Sequence, residues 1–426
     1  MLSATLLAAH FVRGADYGLA AVSIMGPLLL TLKNRWVLVV LPLILVLGAA
    51  LWLLTLRDLI ALRMALGEPW IRMATILASV AILTLLAGVS LRSRFWRERN
   101  QIAKGHAFPA SLAFVLTGLS LYFVQTKVSH PMLLAERFWP GGGWVEIFFL
   151  STYAAYITEK MQDRARAGIL RRRIWLLFTM VFFGQLLLGL LGAQTFLMTG
   201  RLHLPVPAMI AAGPVFRGTR FFMPILFVIT LLITGPAWCS HLCYFGSLDN
   251  IAALKKKRPT ALPRFGTGLR IGILAAVISI ALILRLIGTS PAAAALLGGA
   301  FGLVGLGVIL LWSRKTGVMT HCTVYCPIGL LANLAGKLSP FRINIGPGCN
   351  DCGACARACR YDALGIQHIA RRKPGFKCTL CGDCISRCKE SHLAYSFLGY
   401  KGDNVRGIFI ALIVALHSVF LGVARI

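Results

Sequence analysis

The sequence predicts an all-α polytopic membrane protein of about ten transmembrane helices, with a small α+β domain inserted before the last one. Three observations carry this. Apolar residues make up 58% of the 426 positions and charged residues only 14%, and the mean hydropathy is +0.76. Apolar runs near the roughly twenty residues a bilayer requires recur along the chain, separated by basic loops. All 12 cysteines fall inside patterned motifs between Cys239 and Cys388.

The candidate spans are 16–32, 36–56, 70–91, 108–125, 143–158, 174–196, 220–238, 271–288, 293–313 and 406–424. They group into a three-helix module (1–104), a membrane core (105–340), a cysteine-rich domain (341–404) and a terminal helix (405–426). The first span has Asp16 at its edge, and the chain start lacks the basic n-region of a cleaved signal peptide. The piece Arg57–Trp70 has an amphipathic pattern suited to a membrane interface or to a helix extension. Glu146, in the fifth span, is a candidate proton acceptor at membrane depth or an interfacial carboxylate in water. Gln185 suits a helix–helix hydrogen bond. His10 and His417 lie toward one predicted side, but no supporting pattern points to haem.

The net charge is +30. Alternating the spans puts 33 of the 44 Lys and Arg on one side, within Lys33–Arg35, Arg92–Lys104, Lys160–Arg173, Lys255–Arg270 and Arg314–Arg406. Long loops do not obey the positive-inside rule, yet without the last loop 19 basic residues still face 11. The charge therefore reads as an orientation signal. It places the cysteine-rich domain in the cytoplasm and both termini outside, and needs no nucleic acid to explain it.

Cys349–Cys388 holds two C-x2-C-x2-C-x3-C runs. A shift of 29 superposes all four cysteines, Gly353 on Gly382 and Leu364 on Leu393. A 4Fe–4S cube takes three thiolates from one tight loop, and the fourth cysteine of each run reaches the neighbouring cluster. One set is then Cys349, Cys352, Cys355 and Cys388; the other is Cys378, Cys381, Cys384 and Cys359. Structural zinc usually joins two shorter pairs, and disulfides are disfavoured in a reducing compartment.

A second repeat relates Cys239 and Cys243 to Cys322 and Cys326 by 83 residues, together with Gly246/Gly329, Leu248/Leu331, Asn250/Asn333 and Ala252/Ala335. Both copies follow spans running the same way, so the duplication is parallel. If helical, each i, i+4 pair presents both sulfurs on one face, too far apart for an unstrained disulfide and suited to a shared metal or cluster. In a loop, a redox-active disulfide is an alternative; inert buried thiols are a third reading.

The doubled loop resembles the bacterial two-cluster ferredoxins. The two C-x3-C motifs followed by that loop resemble the membrane-bound polyferredoxin family, over about 174–400. That family includes the NapH-type subunit of nitrate reductase systems, the membrane protein supporting nitrous oxide reductase, and an accessory protein of cytochrome oxidase assembly. Cys322, Cys326 and Pro327 fit its pattern, whereas Tyr244 replaces the proline of the first copy and would loosen that turn. Arg360 and Lys389 stand where ferredoxins have proline, which would place positive charge beside two sulfurs and raise the reduction potential.

The resemblance implies a multi-pass protein of the bacterial inner membrane with two 4Fe–4S clusters and a further site built from four cysteines. It would relay single electrons between quinone or quinol and another redox protein or complex subunit of a respiratory system. An assembly factor supplying electrons for metal or thiol reduction is the alternative, and a transporter with a regulatory ferredoxin domain a third. No substrate-level catalytic residue is evident. The domain at 341–404 carries ten Lys/Arg against five Asp/Glu, an excess that suits anionic clusters, anionic lipid or an acidic partner.

Overall fold

A computed structural model describes residues 1–32, 34–93, 96, 107–196, 206–219, 221–263 and 265–423. Lys33, Lys104 and most of the basic stretch Arg92–Arg99 lie outside the described residues.

Among these residues, 8 helices are long and apolar enough to cross a membrane: Val37–Ala65, Ile71–Ser90, Ala107–Lys127, Arg164–Leu190, Phe222–His241, Gly266–Leu286, Pro291–Thr316 and Asp403–Val423. Two of the ten expected spans are not among them. The first is a short helix, Tyr17–Met25, that tightens into a 3-10 turn at Gly26–Leu32, where Pro27 cannot donate to the α ladder. The fifth is the 20-residue helix Gly142–Met161, whose Glu146, Glu159 and Lys160 reduce its apolarity. The sixth begins earlier than expected, at Arg164, because the Asp163 carboxylate accepts the Ala165 N–H at 2.9 Å and caps the helix.

The chain forms two compact units, Met1–Glu159 and Lys160–Ile426. The first contains α1 (Leu2–Arg13), α2 (Tyr17–Met25), α3 (Val37–Ala65), α4 (Ile71–Ser90), α5 (Ala107–Lys127), α6 (Leu134–Phe138) and α7 (from Gly142), and one core cluster there holds Trp36, Val40, Leu41, Ala110 and Phe148. A smaller cluster packs Leu7 and Trp52 on Ala81. Glu146 accepts the Ala135 N–H at 2.8 Å, and Glu136 accepts those of Gly141 and Gly143 at 3.0 and 2.8 Å. Glu136 thus holds the glycine-rich turn before α7, and Glu146 ties α7 to the start of α6. His10 packs its ring 5.0 Å from Trp52.

The second unit contains α8 (Arg164–Leu190), α9 (Met209–Arg217), α10 (Phe222–Thr234), α11 (Trp238–His241), α12 (Tyr244–Leu254), α13 (Gly266–Leu286), α14 (Pro291–Val308), α15 (Arg314–Thr316) and α16 (Pro327–Ala335). Helix α8 packs on α12, and α13 on α16. A three-stranded antiparallel sheet follows: β1 (Phe341–Ile345), β2 (Leu393–Phe397) and β3 (Tyr400–Lys401), in the order β1-β2-β3. Phe341 pairs with Phe397 and Ile345 with Leu393. Between β1 and β2 lie α17 (Ala354–Ala358), α18 (Ile366–Ala370) and α19 (Asp383–Arg387); α20 (Asp403–Val423) closes the unit. His417 is buried in α20 against Phe178, and Gln185 is buried on α8.

The 29-residue repeat is written in the backbone. Three left-handed positions recur at that spacing: Asp351 and Leu380 (φ 54 and 54), Gly353 and Gly382 (φ 71 and 78), Asp362 and Ser391 (φ 52 and 57). The glycines adopt this conformation without steric cost and start α17 and α19.

Arg360 departs from its sequence reading. Its guanidinium turns inward and donates to carbonyls of Gly317 (2.8 Å), Lys256 (2.9 Å) and Lys257 (3.2 Å). These acceptors lie just past α12 and at the end of α15, so the side chain ties the cysteine loop to helix ends rather than serving mainly the sulfur of Cys359. Arg360→Ala is expected to cost about 3 kcal/mol, because buried carbonyls lose a charged donor. Arg360→Lys should recover only part, since one ammonium cannot span these acceptors. Thermal unfolding in detergent, followed by circular dichroism, measures both.

Candidate iron–sulfur centres

All twelve cysteines are free thiols. Cys239, Cys243, Cys322, Cys326, Cys355, Cys359 and Cys384 are buried; Cys349, Cys378, Cys381 and Cys388 are half-buried; Cys352 is exposed. Among the described residues, no three His, Cys, Asp or Glu side chains converge as ligands of a single metal ion. A four-iron cube makes a different demand, because its thiolates bind four separate irons.

The two membrane-edge copies share one local design. Cys243 and Cys326 are each the residue before a helix, with φ/ψ of −80/116 and −72/118. Each sulfur receives two amides from the helix start, those of Phe245 and Gly246 or those of Ile328 and Gly329. The pairs therefore do not lie on one continuous helix, as the i, i+4 spacing suggested. Cys239 sits in the single turn α11, and Cys322 in a π-helical turn, His321–Tyr325. Tyr244 does not loosen its turn, since Cys243 keeps the conformation of Cys326; the Tyr244 ring is held instead by stacking on Phe182 at 4.1 Å. A side chain at Gly246 would meet the Cys239 carbonyl at 2.7 Å, and one at Gly329 the Cys322 carbonyl at 2.8 Å. The two glycines let each helix close onto its own cysteine turn.

The four sulfurs share one neighbourhood. Burial pushes the Cys322 thiol far up, and Asp249, Cys243, Cys326 and Cys239 push it further. Cys243 is raised likewise, by burial and then by Cys239 and Cys326. Such thiols hold their protons unless a metal replaces them. Asp249 reaches across the repeat to accept the Cys322 N–H at 2.9 Å.

Arg270, only 2% exposed, lies against this group. It donates to the carbonyls of Cys322 (2.7 Å) and Cys326 (3.2 Å) and to Asn333 Oδ1 (3.4 Å). Among the described residues no carboxylate forms an ion pair with it; the negative partners in its field are Cys326, Cys239 and Cys322. A buried cation needs a counter-charge. Four thiolates around iron are net anionic, so this donor set and Arg270 fit an iron–sulfur centre.

The doubled loop separates into two neighbourhoods. Cys359, Cys378, Cys381 and Cys384 lie within one another's fields, and Cys355 responds to Cys349 and Cys352. Cys359 accepts the Ala363 N–H at 3.4 Å. Burial raises Cys359 and lifts Cys378 to about 12.

The Cys359 group is docked on the membrane-edge site. Arg171, 1% exposed, donates Nε and Nη2 to Asp383 at 3.2 and 2.8 Å, and Nη1 to the Ser240 carbonyl at 2.8 Å. The Ser240 hydroxyl donates to Thr379 O at 3.0 Å, and Asn333 Nδ2 to Phe376 O at 2.6 Å. Buried Tyr361 directs its hydroxyl at the Cys239 carbonyl (3.4 Å) and lies in the field of Cys322 and Cys381. Arg171, Arg270, Asp249 and Tyr361 escaped the sequence reading. Arg171 was hidden in the run Arg171–Arg173, which reads as an orientation signal. An arginine near the end of an apolar helix was the available cue for both cations.

Paired cysteine sites in an apolar helical unit are also what comparison with known proteins brings out. Residues 218–260 and 299–346, about a fifth of the chain, match the 4Fe-4S binding domain family. The chain is 25% identical to "Putative electron transport protein YccM" of Escherichia coli (strain K12) over 222 residues, 47% of this chain and 58% of that protein. It is 26% identical over 180 residues to "Uncharacterized protein MJ0749" of Methanocaldococcus jannaschii, covering 40% of this chain and 69% of that one. The chain thus spans little more than half of the first relative. No solved structure matches. The family match contains the four membrane-edge cysteines and ends at residue 346, before Cys349.

Asp383→Asn is expected to cost about 3–5 kcal/mol, since it leaves Arg171 buried without its counter-charge. Replacing both by leucine should cost less than the sum of Arg171→Leu and Asp383→Leu made singly. Thermal unfolding of the four proteins in one detergent checks this double cycle.

Proposed function

We propose that the protein relays single electrons between the quinone pool and a redox partner. Cys349, Cys352, Cys355 and Cys388 would hold one 4Fe–4S cluster, and Cys378, Cys381, Cys384 and Cys359 a second. Cys239, Cys243, Cys322 and Cys326 would hold a third centre. Bound clusters of this kind supply one-electron transfer. The chain's own residues position and insulate them: amides point at Cys243, Cys326 and Cys359, while Arg171 and Asp383 fix one loop against the helix ends.

The observation that carries the third centre is Arg270, buried beside four cysteines with no carboxylate partner among the described residues. The family match over those same cysteines supports it. The basic loops support a cytoplasmic position for the cysteine-rich domain at the bacterial inner membrane.

Anaerobically purified protein should hold about twelve irons and as many acid-labile sulfides per chain, four for each cube. Cys322→Ala should remove about four while leaving the EPR signals of the other two centres. About eight irons in the unaltered protein would leave the membrane-edge thiols bare. Added quinol analogue should then change the EPR signals; no response to any quinol or quinone would remove the quinone pool from this reading.

A further inference from the structure

We infer that the exposed end of the cysteine-rich domain, around Cys349, Cys352, Cys355 and Cys388, is a docking face for a redox protein with an acidic surface. This rests on the electron-transfer reading and adds the site and chemistry of the partner. The two cysteine sets are placed unequally. Cys359 and Cys384 are buried on the side tied to the helix ends through Asp383, Thr379 and Tyr361. Cys352 alone of the twelve is exposed.

The charge is just as uneven. Four of the five acids in the domain are already paired: Asp351 with Arg372, Asp362 with Lys377, Asp383 with Arg171 and Asp403 with Arg164. Of the cations, Arg360 turns inward and Arg342 serves the carbonyls of Ser339 and Phe341. Arg357, Arg371, Lys373, Arg387, Lys389 and Lys401 remain exposed, and none of them is in an ion pair among the described residues.

Four of these, Arg357, Arg371, Lys373 and Lys389, adjoin one set of cysteines along the chain. Arg357 donates to the Cys352 carbonyl at 3.4 Å. Arg371 and Lys373 flank Arg372, which donates to the Cys349 carbonyl at 3.0 Å. Lys389 follows Cys388 directly, whereas Arg387 lies in the field of Arg172 on α8. Glu390 is the one unpaired acid nearby among the described residues. A cationic collar around an exposed sulfur steers an acidic protein to the point of closest approach. Anionic lipid is disfavoured because the opposite side of the domain is the one anchored to the helix ends.

The test uses the full-length, cluster-loaded protein in neutral detergent, reduced and then mixed by stopped flow with an oxidised acidic flavodoxin or with a basic cytochrome c. Each flavin takes one electron from the protein and one proton from water; each cytochrome takes one electron. The flavodoxin rate is expected to fall about tenfold from low to physiological salt, and by a similar factor at low salt in the variant R357E/K373E/K389E. Iron content and EPR of that variant should be unchanged. Equal, salt-independent rates with both acceptors would overturn the inference. So would loss of the flavodoxin reaction in liposomes of anionic lipid but not of neutral lipid, which would assign the face to the membrane. Iron and EPR are scored first, so a chain without clusters fails the electron-transfer reading itself, and this inference with it.

Discussion

A guanidinium that is 1% exposed in an apolar helix must meet a counter-charge, and Arg171 finds Asp383. That pairing constrains the rest of the second unit. Asp383 stands between Cys381 and Cys384, so the membrane helix grips the ligand loop itself. The third nitrogen of Arg171 holds the Ser240 carbonyl, next to Cys239. One side chain thus fixes two cysteine sites relative to each other. A buried ion pair contributes little net stability, but it strongly penalises every arrangement in which it is broken. Its value here is a unique docking geometry.

Arg270 is the complementary case. Its donors are largely spent on backbone carbonyls, yet its charge has no carboxylate partner among the described residues. Beside four cysteines whose Cys243 and Cys322 thiols burial pushes up, it suits a site that would take an anionic group. Tyr361 lies in the field of both this site and Cys381, two residues along the chain from Cys359.

The chain solves the problem of holding sulfur twice, in two ways. In the 29-residue repeat, left-handed residues and glycines curl the backbone around the cysteines at matching positions. In the 83-residue repeat, a cysteine precedes each helix and takes its first free amides. The second solution tolerates Tyr244 in place of proline because the sulfur–amide contacts and the stack on Phe182 hold the turn.

The sequence by itself determined the class of fold and both duplications, and it suggested how the eight loop cysteines divide, because ligand spacing and apolar run length are local properties. Two of its ten spans are not among the long apolar helices: Tyr17–Leu32 is too short for a crossing, and Gly142–Met161 has the length but carries Glu146, Glu159 and Lys160. Tertiary structure alone decided the direction of Arg360, the partners of Arg171 and Arg270, and the place of Tyr361. Each depends on contacts across tens to hundreds of residues, such as Arg171 to Asp383, a separation of 212. Spacing along a chain carries no record of which distant carbonyl or carboxylate a long cationic side chain will reach once helices pack.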